Sequence, residues 1–135
     1  MKKSLAASIA LFVIACCLPA LEFRHSEKGI DDMWGANALA VGWSGIFAGI
    51  VAWYANPIWF FGLIFGVLGK RNITVGLGVV SILLALTTFA IIGRELPADE
   101  GNVTHITLIA LLPGCYLWIT SLLIVPLAAL LQRSR

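Results

Sequence analysis

The chain reads as an all-α membrane protein, a polytopic transmembrane helical bundle of four spans whose second span is broken or kinked at Asn56-Pro57. Three observations predict this class. Apolar residues make up 60% of the 135 and charged residues only 12%, about half the charge of an ordinary soluble domain. All seven acidic residues fall within two short stretches, Glu22 to Asp32 and Glu95 to Glu100. Between and around those stretches lie four apolar segments, at about 4–21, 36–69, 73–93 and 106–131, each long enough to cross a hydrocarbon core of about 30 Å as helix. The polar loops 22–35 and 94–105 are too short to bury a core of their own, so residues 1–135 read as a single integral membrane domain.

The first segment follows Lys2-Lys3 and runs from Ser4 to Leu21. It also resembles an export signal, because Val13-Ile14-Ala15-Cys16 has the form cut ahead of a lipidated cysteine. The residues after Cys16 (Cys17-Leu18-Pro19-Ala20-Leu21) stay apolar where a lipoprotein continues into a polar tether, so an uncleaved first span is expected.

The second segment, Ala36 to Gly69, holds 34 residues, roughly 51 Å of helix, and must be interrupted. Asn56-Pro57 supplies the expected break, since asparagine is a favoured N-cap and proline a favoured first helical residue. Two layouts follow. In the first, residues from Ala36 to about Gly45 lie along the outer interface, anchored by Trp34 and Trp43, and one kinked span completes the crossing. In the second, Asn56-Pro57 is a tight hairpin and the chain has five segments, at the cost of a return helix of only about 20 Å. The third segment, Ile73 to Gly93, contains Gly76 and Gly78. The fourth, Ile106 to Leu131, should bend at Pro113-Gly114 and again near Pro126.

Charge placement orients the four-span layout. With both termini cytoplasmic, Lys2, Lys3, Lys70, Arg71, Arg133 and Arg135 lie inside against Arg24, Lys28 and Arg94 outside, which satisfies the positive-inside bias. A bacterial inner (plasma) membrane is the expected location. The nine basic residues sit at helix ends and form no stripe, so the net charge of +2 does not point to nucleic acid.

Few residues offer chemistry. Glu22-x-x-His25 has the spacing of helical metal sites, and Asp31, Asp32, Asp99 and Glu100 could complete an oxygen-rich set. No second Glu-x-x-His is present, however, and charged loops beside a membrane are ordinarily solvated. His25 and His105 lie at the membrane edge, so haem and other cofactors are not expected. Cys16, Cys17 and Cys115 lack metal-site spacing and read as small packing residues. No ionisable side chain lies inside an apolar segment, which weighs against coupled transport, proton relay and voltage sensing. Asn56 is the one strongly polar residue at depth, readable as a cap or as part of a broken-helix binding site.

Small residues carry the remaining signal. Gly45-x-x-x-Gly49 and Gly62-x-x-x-Gly66 have the spacing that lets helix backbones approach closely in lipid, within the bundle, in a homo-oligomer, or against another membrane protein. The expected function is therefore non-enzymatic: an accessory, regulatory or protective subunit that acts by helix packing with a membrane partner. An oligomeric channel or small-solute transporter is the alternative, to be distinguished by whether the bundle interior is polar or closed.

Overall fold

The computed structural model describes residues 1–97 and 104–131. Expectations that concern Asp99, Glu100, Arg133 and Arg135 lie outside the described residues. The described residues form five α-helices: α1 (Lys2–Cys16), α2 (Gly35–Val41), α3 (Ala55–Val67), α4 (Arg71–Leu86) and α5 (Pro113–Leu131). Four strands join them: β1 (Pro19–His25), β2 (Gly29–Trp34), β3 (Glu95–Pro97) and β4 (His105–Leu111). The all-α expectation is thus corrected. The stretches read as polar loops form an antiparallel sheet in the order β2-β1-β4-β3.

The sheet has a local cause. In Leu21-Glu22-Phe23-Arg24 apolar and polar residues alternate, which on a strand sends Phe23 inward and Arg24 to solvent. A three-residue turn follows, and Gly29, at φ 86°, closes it in the left-handed region that a side chain would resist. Strand β4 takes the start of the expected fourth span. Its run Ile106-Thr107-Leu108-Ile109 is rich in β-branched residues, and Pro113 then opens α5 with a fixed φ and no N–H to lose. Because β1 pairs with both β2 and β4, the sheet ties the two polar stretches into one layer, with Phe23 opposite Leu108. Phe23, Leu96, Leu108 and Ile91 form its buried core.

The bundle is built from α1, α3, α4 and α5. Two of its helices, Arg71–Ile91 (α4 with a 3-10 extension) and Pro113–Leu131, are long and apolar enough to cross a membrane, with mean hydropathies of 2.2 and 2.0. Ala52–Val67 is apolar but shorter, roughly 24 Å. Between the helices Leu5, Ala55, Trp59, Leu63, Ala85, Leu122 and Val125 are buried, as are the hydroxyl residues Ser8, Thr74, Ser81 and Ser121. Many other large apolar side chains point outward, among them Ile9 and Val13 on α1, Phe60 and Phe61 on α3, Val79 and Leu83 on α4, and Tyr116 and Leu127 on α5. Hydroxyls inside and hydrocarbon outside is the polarity expected of helices solvated by lipid.

The 34-residue second segment does not form one kinked span. It folds as α2, a 3-10 stretch (Gly42–Ala48), a reversal at Gly49 with φ 74°, a short 3-10 turn (Ala52–Tyr54) and then α3. The return is fastened where Trp53 Nε1–H donates to the Leu39 carbonyl at 2.7 Å. Helix α3 runs unbroken through Asn56-Pro57, so the hairpin form of the five-segment layout is also corrected. Pro57 is the third residue of α3, where backbone N–H groups have no intrahelical partner and its ring costs nothing.

Lys2, Lys3, Lys70 and Arg71 gather at the end of the bundle away from the sheet. Arg71 donates from Nη2 to the Leu130 carbonyl at 3.0 Å, placing a cation on the C-terminal turn of α5.

Candidate functional site

Where the sheet meets the bundle, the elements leave a chamber of about 310 Å³. Phe12 and Ala15 of α1 form one wall, and Leu21, Phe23, Met33 and Leu96 of the sheet another. The folded-back segment, including Leu39, Gly42, Ala48 and Ile50, covers it. Asn56, Thr88, Cys115 and Trp118 line it from the bundle side. Among the described residues, no Asp, Glu, Lys, Arg or His lines the chamber.

Its polar groups are few. Trp118 Nε1–H donates to Asn56 Oδ1 at 2.8 Å, joining α5 to α3. That bond ends a chain through the bundle. Trp59 Nε1–H donates to Ser8 Oγ (3.1 Å), Ser8 donates to the Ser121 carbonyl (2.6 Å), and Ser121 donates to the Trp118 carbonyl (2.6 Å). Phe12 stacks on Trp59 with centroids 4.5 Å apart and planes 12° from parallel, so the same helices are held by an aromatic pair just beside the polar chain. Each hydroxyl in this set is paired, which removes the cost of burying it. Thr88 is different. It is 4% exposed, lines the chamber, and its Oγ1 has no hydrogen-bond partner among the described residues.

The residues singled out from sequence are distributed as follows. Asn56 does not cap α3: Tyr54 precedes the helix, no side chain caps it, and the Asn56 amide oxygen accepts from Trp118. Glu22 and His25 stand on a strand, where a separation of three residues does not stack side chains as on a helix, so the spacing argument for a metal pair loses its premise. Among the described residues no group of three or more His, Cys, Asp or Glu could hold a metal ion. Gly45 and Gly49 are not on a membrane helix. Gly45 lies in the 3-10 stretch against Ile50, and Gly49 makes the reversal. Gly62 and Gly66 face neighbouring helices at ordinary contact: a Cβ on Gly62 would stand 3.7 Å from Leu77 and Val125, and one on Gly66 3.4 to 3.5 Å from Leu5 and Thr74.

The tightest approaches lie outside these two pairs. A Cβ on Gly35 would run into the Ala15 carbonyl oxygen, and one on Gly114 would meet the Pro19, Leu18 and Ala15 carbonyl oxygens at 2.8 to 3.1 Å. These two glycines bring α2 and α5 against the end of α1, which fixes one wall of the chamber. Gly78 receives the ring of Pro126, whose atoms would lie 2.6 to 2.8 Å from a Cβ there. Thr88 and Trp118 were also missed. A threonine beside another in an apolar segment carries no sequence signal of being unpaired.

Among the described residues the lining carries no ionisable group beyond the thiols of Cys16 and Cys115, and most of it is apolar. The chain matches no protein-family model, no curated protein and no solved structure.

Proposed function

We propose that this is a four-span, non-enzymatic protein of a bacterial inner membrane, with both termini cytoplasmic and the sheet outside, which acts as an accessory subunit through contact with a membrane partner. The observation that carries this reading is the closed, inverted bundle: Ser8, Ala55, Ala85, Leu122, Val125 and Ala129 are fully buried between helices that turn hydrocarbon outward. A filled axis with no ionisable group along it leaves a single copy no route for an ion or polar solute. The cap supports the topology. Glu22, Glu27, Asp31, Asp32 and Glu95 belong to the sheet and its turn, whereas Lys2, Lys3, Lys70 and Arg71 mark the far end, in keeping with the positive-inside bias. The shorter helices α1 and α3 are accommodated by local thinning and by Lys2 and Lys3 reaching to the interface.

With the interior closed, the working surfaces are the outer ones. Phe60 and Phe61 form an exposed edge-to-face pair on α3, and β2 offers a free strand edge carrying Asp31 and Asp32. A photo-crosslinking residue at Phe61 should give one discrete adduct in native membranes, while purified protein in liposomes passes neither ions nor small solutes. Flux through those liposomes that depends on Asn56 would replace this reading with a channel or transporter.

A further inference from the structure

We propose that the folded-back segment from Trp34 to Val51 is a membrane-interface anchor, with Ile46 and Phe47 seated in the outer edge of the lipid hydrocarbon and the Trp34 and Trp43 indoles at the headgroup level. The proposal rests on the topology given above and adds a lipid-contacting surface outside the spanning helices. Its first ground is what the segment exposes. Val41, Trp43 and Ile46 are about half exposed and Phe47 is 85% exposed, whereas Ala48 and Ile50 turn the other way and pack against the core of the sheet. Both sides of the segment are therefore apolar, and one of them has no protein over it. Charge is the second ground. From Met33 to Gly69 the chain carries no Asp, Glu, Lys, Arg or His. The adjoining hairpin of β1 and β2 shows what a water-facing surface of this protein looks like, because it exposes Arg24, Glu27, Lys28, Asp31 and Asp32. Four large apolar side chains with no charge among them fit lipid and not water.

The tryptophans divide in the same way. Trp53, Trp59 and Trp118 each donate Nε1–H to a protein oxygen, at 2.7, 3.1 and 2.8 Å. Trp34 and Trp43, which lie on either side of α2 and are about half exposed, have no acceptor for their indole N–H among the described residues. An exposed indole with its N–H free suits the headgroup level, where the ring meets hydrocarbon and the N–H meets lipid carbonyls or water. The backbone fixes the depth. Gly49 N–H donates to the Ile46 carbonyl at 3.0 Å and Ile50 N–H to the Gly45 carbonyl at 2.9 Å, which holds Ile46 and Phe47 beside Ile50, just before the apolar helix Ala52–Val67 begins. That helix is roughly 24 Å long against a core of about 30 Å. Apolar side chains presented beyond its outer end occupy depth that it leaves short, and so reduce the thinning the bilayer must supply.

The test uses the full chain in phosphatidylcholine nanodiscs, with Cys16, Cys17 and Cys115 replaced and a nitroxide attached at one position at a time: Phe47→Cys, Leu83→Cys on the outward face of α4, and Lys28→Cys in the hairpin turn. Collision rates with oxygen, which concentrates in lipid, and with a water-soluble nickel chelate then report the depth of each label. The oxygen-to-nickel ratio should be high at Leu83, low at Lys28, and shifted at Phe47 well toward the Leu83 value. With the label moved to Val51→Cys, adding Phe47→Asp should shift its ratio toward that of Lys28, because a carboxylate is drawn out of hydrocarbon, whereas Phe47→Leu should leave it in place. A Phe47 ratio equal to that at Lys28, beside a lipid-like Leu83, would overturn the anchor and leave the membrane bundle standing. Slow collision with both reagents at Phe47 would mean contact with a second copy of the chain in place of lipid, and would overturn it too. A water-like ratio at Leu83 would remove the membrane reading and the anchor together.

Discussion

Replacing Gly78 by alanine puts one methyl group into the closest helix contact of the bundle. Its carbon would stand 2.6 Å from Pro126 Cβ, 2.7 Å from Cδ and 2.8 Å from Cγ, against about 3.5 to 4.0 Å for an unstrained carbon pair. The proline ring is closed and sits mid-helix, so it has no rotamer with which to retreat. Helices α4 and α5 must therefore separate by about 1 Å, and overpacking of that kind costs about 1–3 kcal/mol. Alanine returns about 1 kcal/mol of helix propensity, leaving a net loss of about 0–2 kcal/mol. Gly76 is the internal control: it lies on the same helix, exposed, with nothing within 4 Å of the added carbon, so Gly76→Ala should keep the propensity gain without the clash. Unfolding in mixed micelles with rising dodecyl sulfate, followed by tryptophan fluorescence, measures both. Pro126→Ala should relieve part of the Gly78→Ala loss in the double variant, as expected of residues in contact. If Gly78→Ala proved as stable as Gly76→Ala, the packing of α4 on α5 described above would be wrong.

Other perturbations probe the polar chain. Asn56→Leu leaves the Trp118 indole N–H without its acceptor and should destabilise the bundle by about 1–2 kcal/mol in the same assay, with a shift in tryptophan emission. Ser8→Ala removes the acceptor of Trp59 and the donor to Ser121 together, and should cost about 1–3 kcal/mol; an unchanged unfolding midpoint would show that the chain contributes nothing. Cys17 is exposed and Cys115 buried, so a maleimide should modify Cys17 in the folded protein and Cys115 only after unfolding, as read by mass spectrometry on the intact chain.

The bundle was legible in the sequence because lipid imposes a simple requirement, a run of apolar residues about 20 long, and α4 and α5 meet it. The sheet was obscured by the same habit of reading. Averaging hydropathy over a span-length window erases the two-residue alternation of Leu21-Glu22-Phe23-Arg24 and merges Ile106 to Leu111 with the helix that follows, although Pro113 marks the boundary. Proline placement likewise misled at Asn56-Pro57: a proline anywhere in a first turn is tolerated, so it marks the neighbourhood of a helix start and not the residue. Spacing located Gly62 and Gly66 on a packed face but could not rank Gly35, Gly78 and Gly114 above them, since closeness depends on the partner's atoms. The chamber was illegible because its walls come from four helices, all four strands and the 3-10 stretches, far apart in sequence, and an unpaired hydroxyl is a property of the assembled fold.

In the proposed topology the acidic sheet lies wholly on one side of the membrane and the basic turn on the other. It is tested most directly by single cysteines at Asp31, Glu95 and Arg71, each in a background with Cys16, Cys17 and Cys115 replaced, exposed to a membrane-impermeant maleimide in intact spheroplasts. Labelling at Asp31 and Glu95 with protection at Arg71 until the membrane is opened is the predicted result. Because β1 joins the strands that carry these two acids through β4, labelling of one and protection of the other would contradict the sheet. Free labelling of all three sites would contradict the membrane-spanning bundle itself.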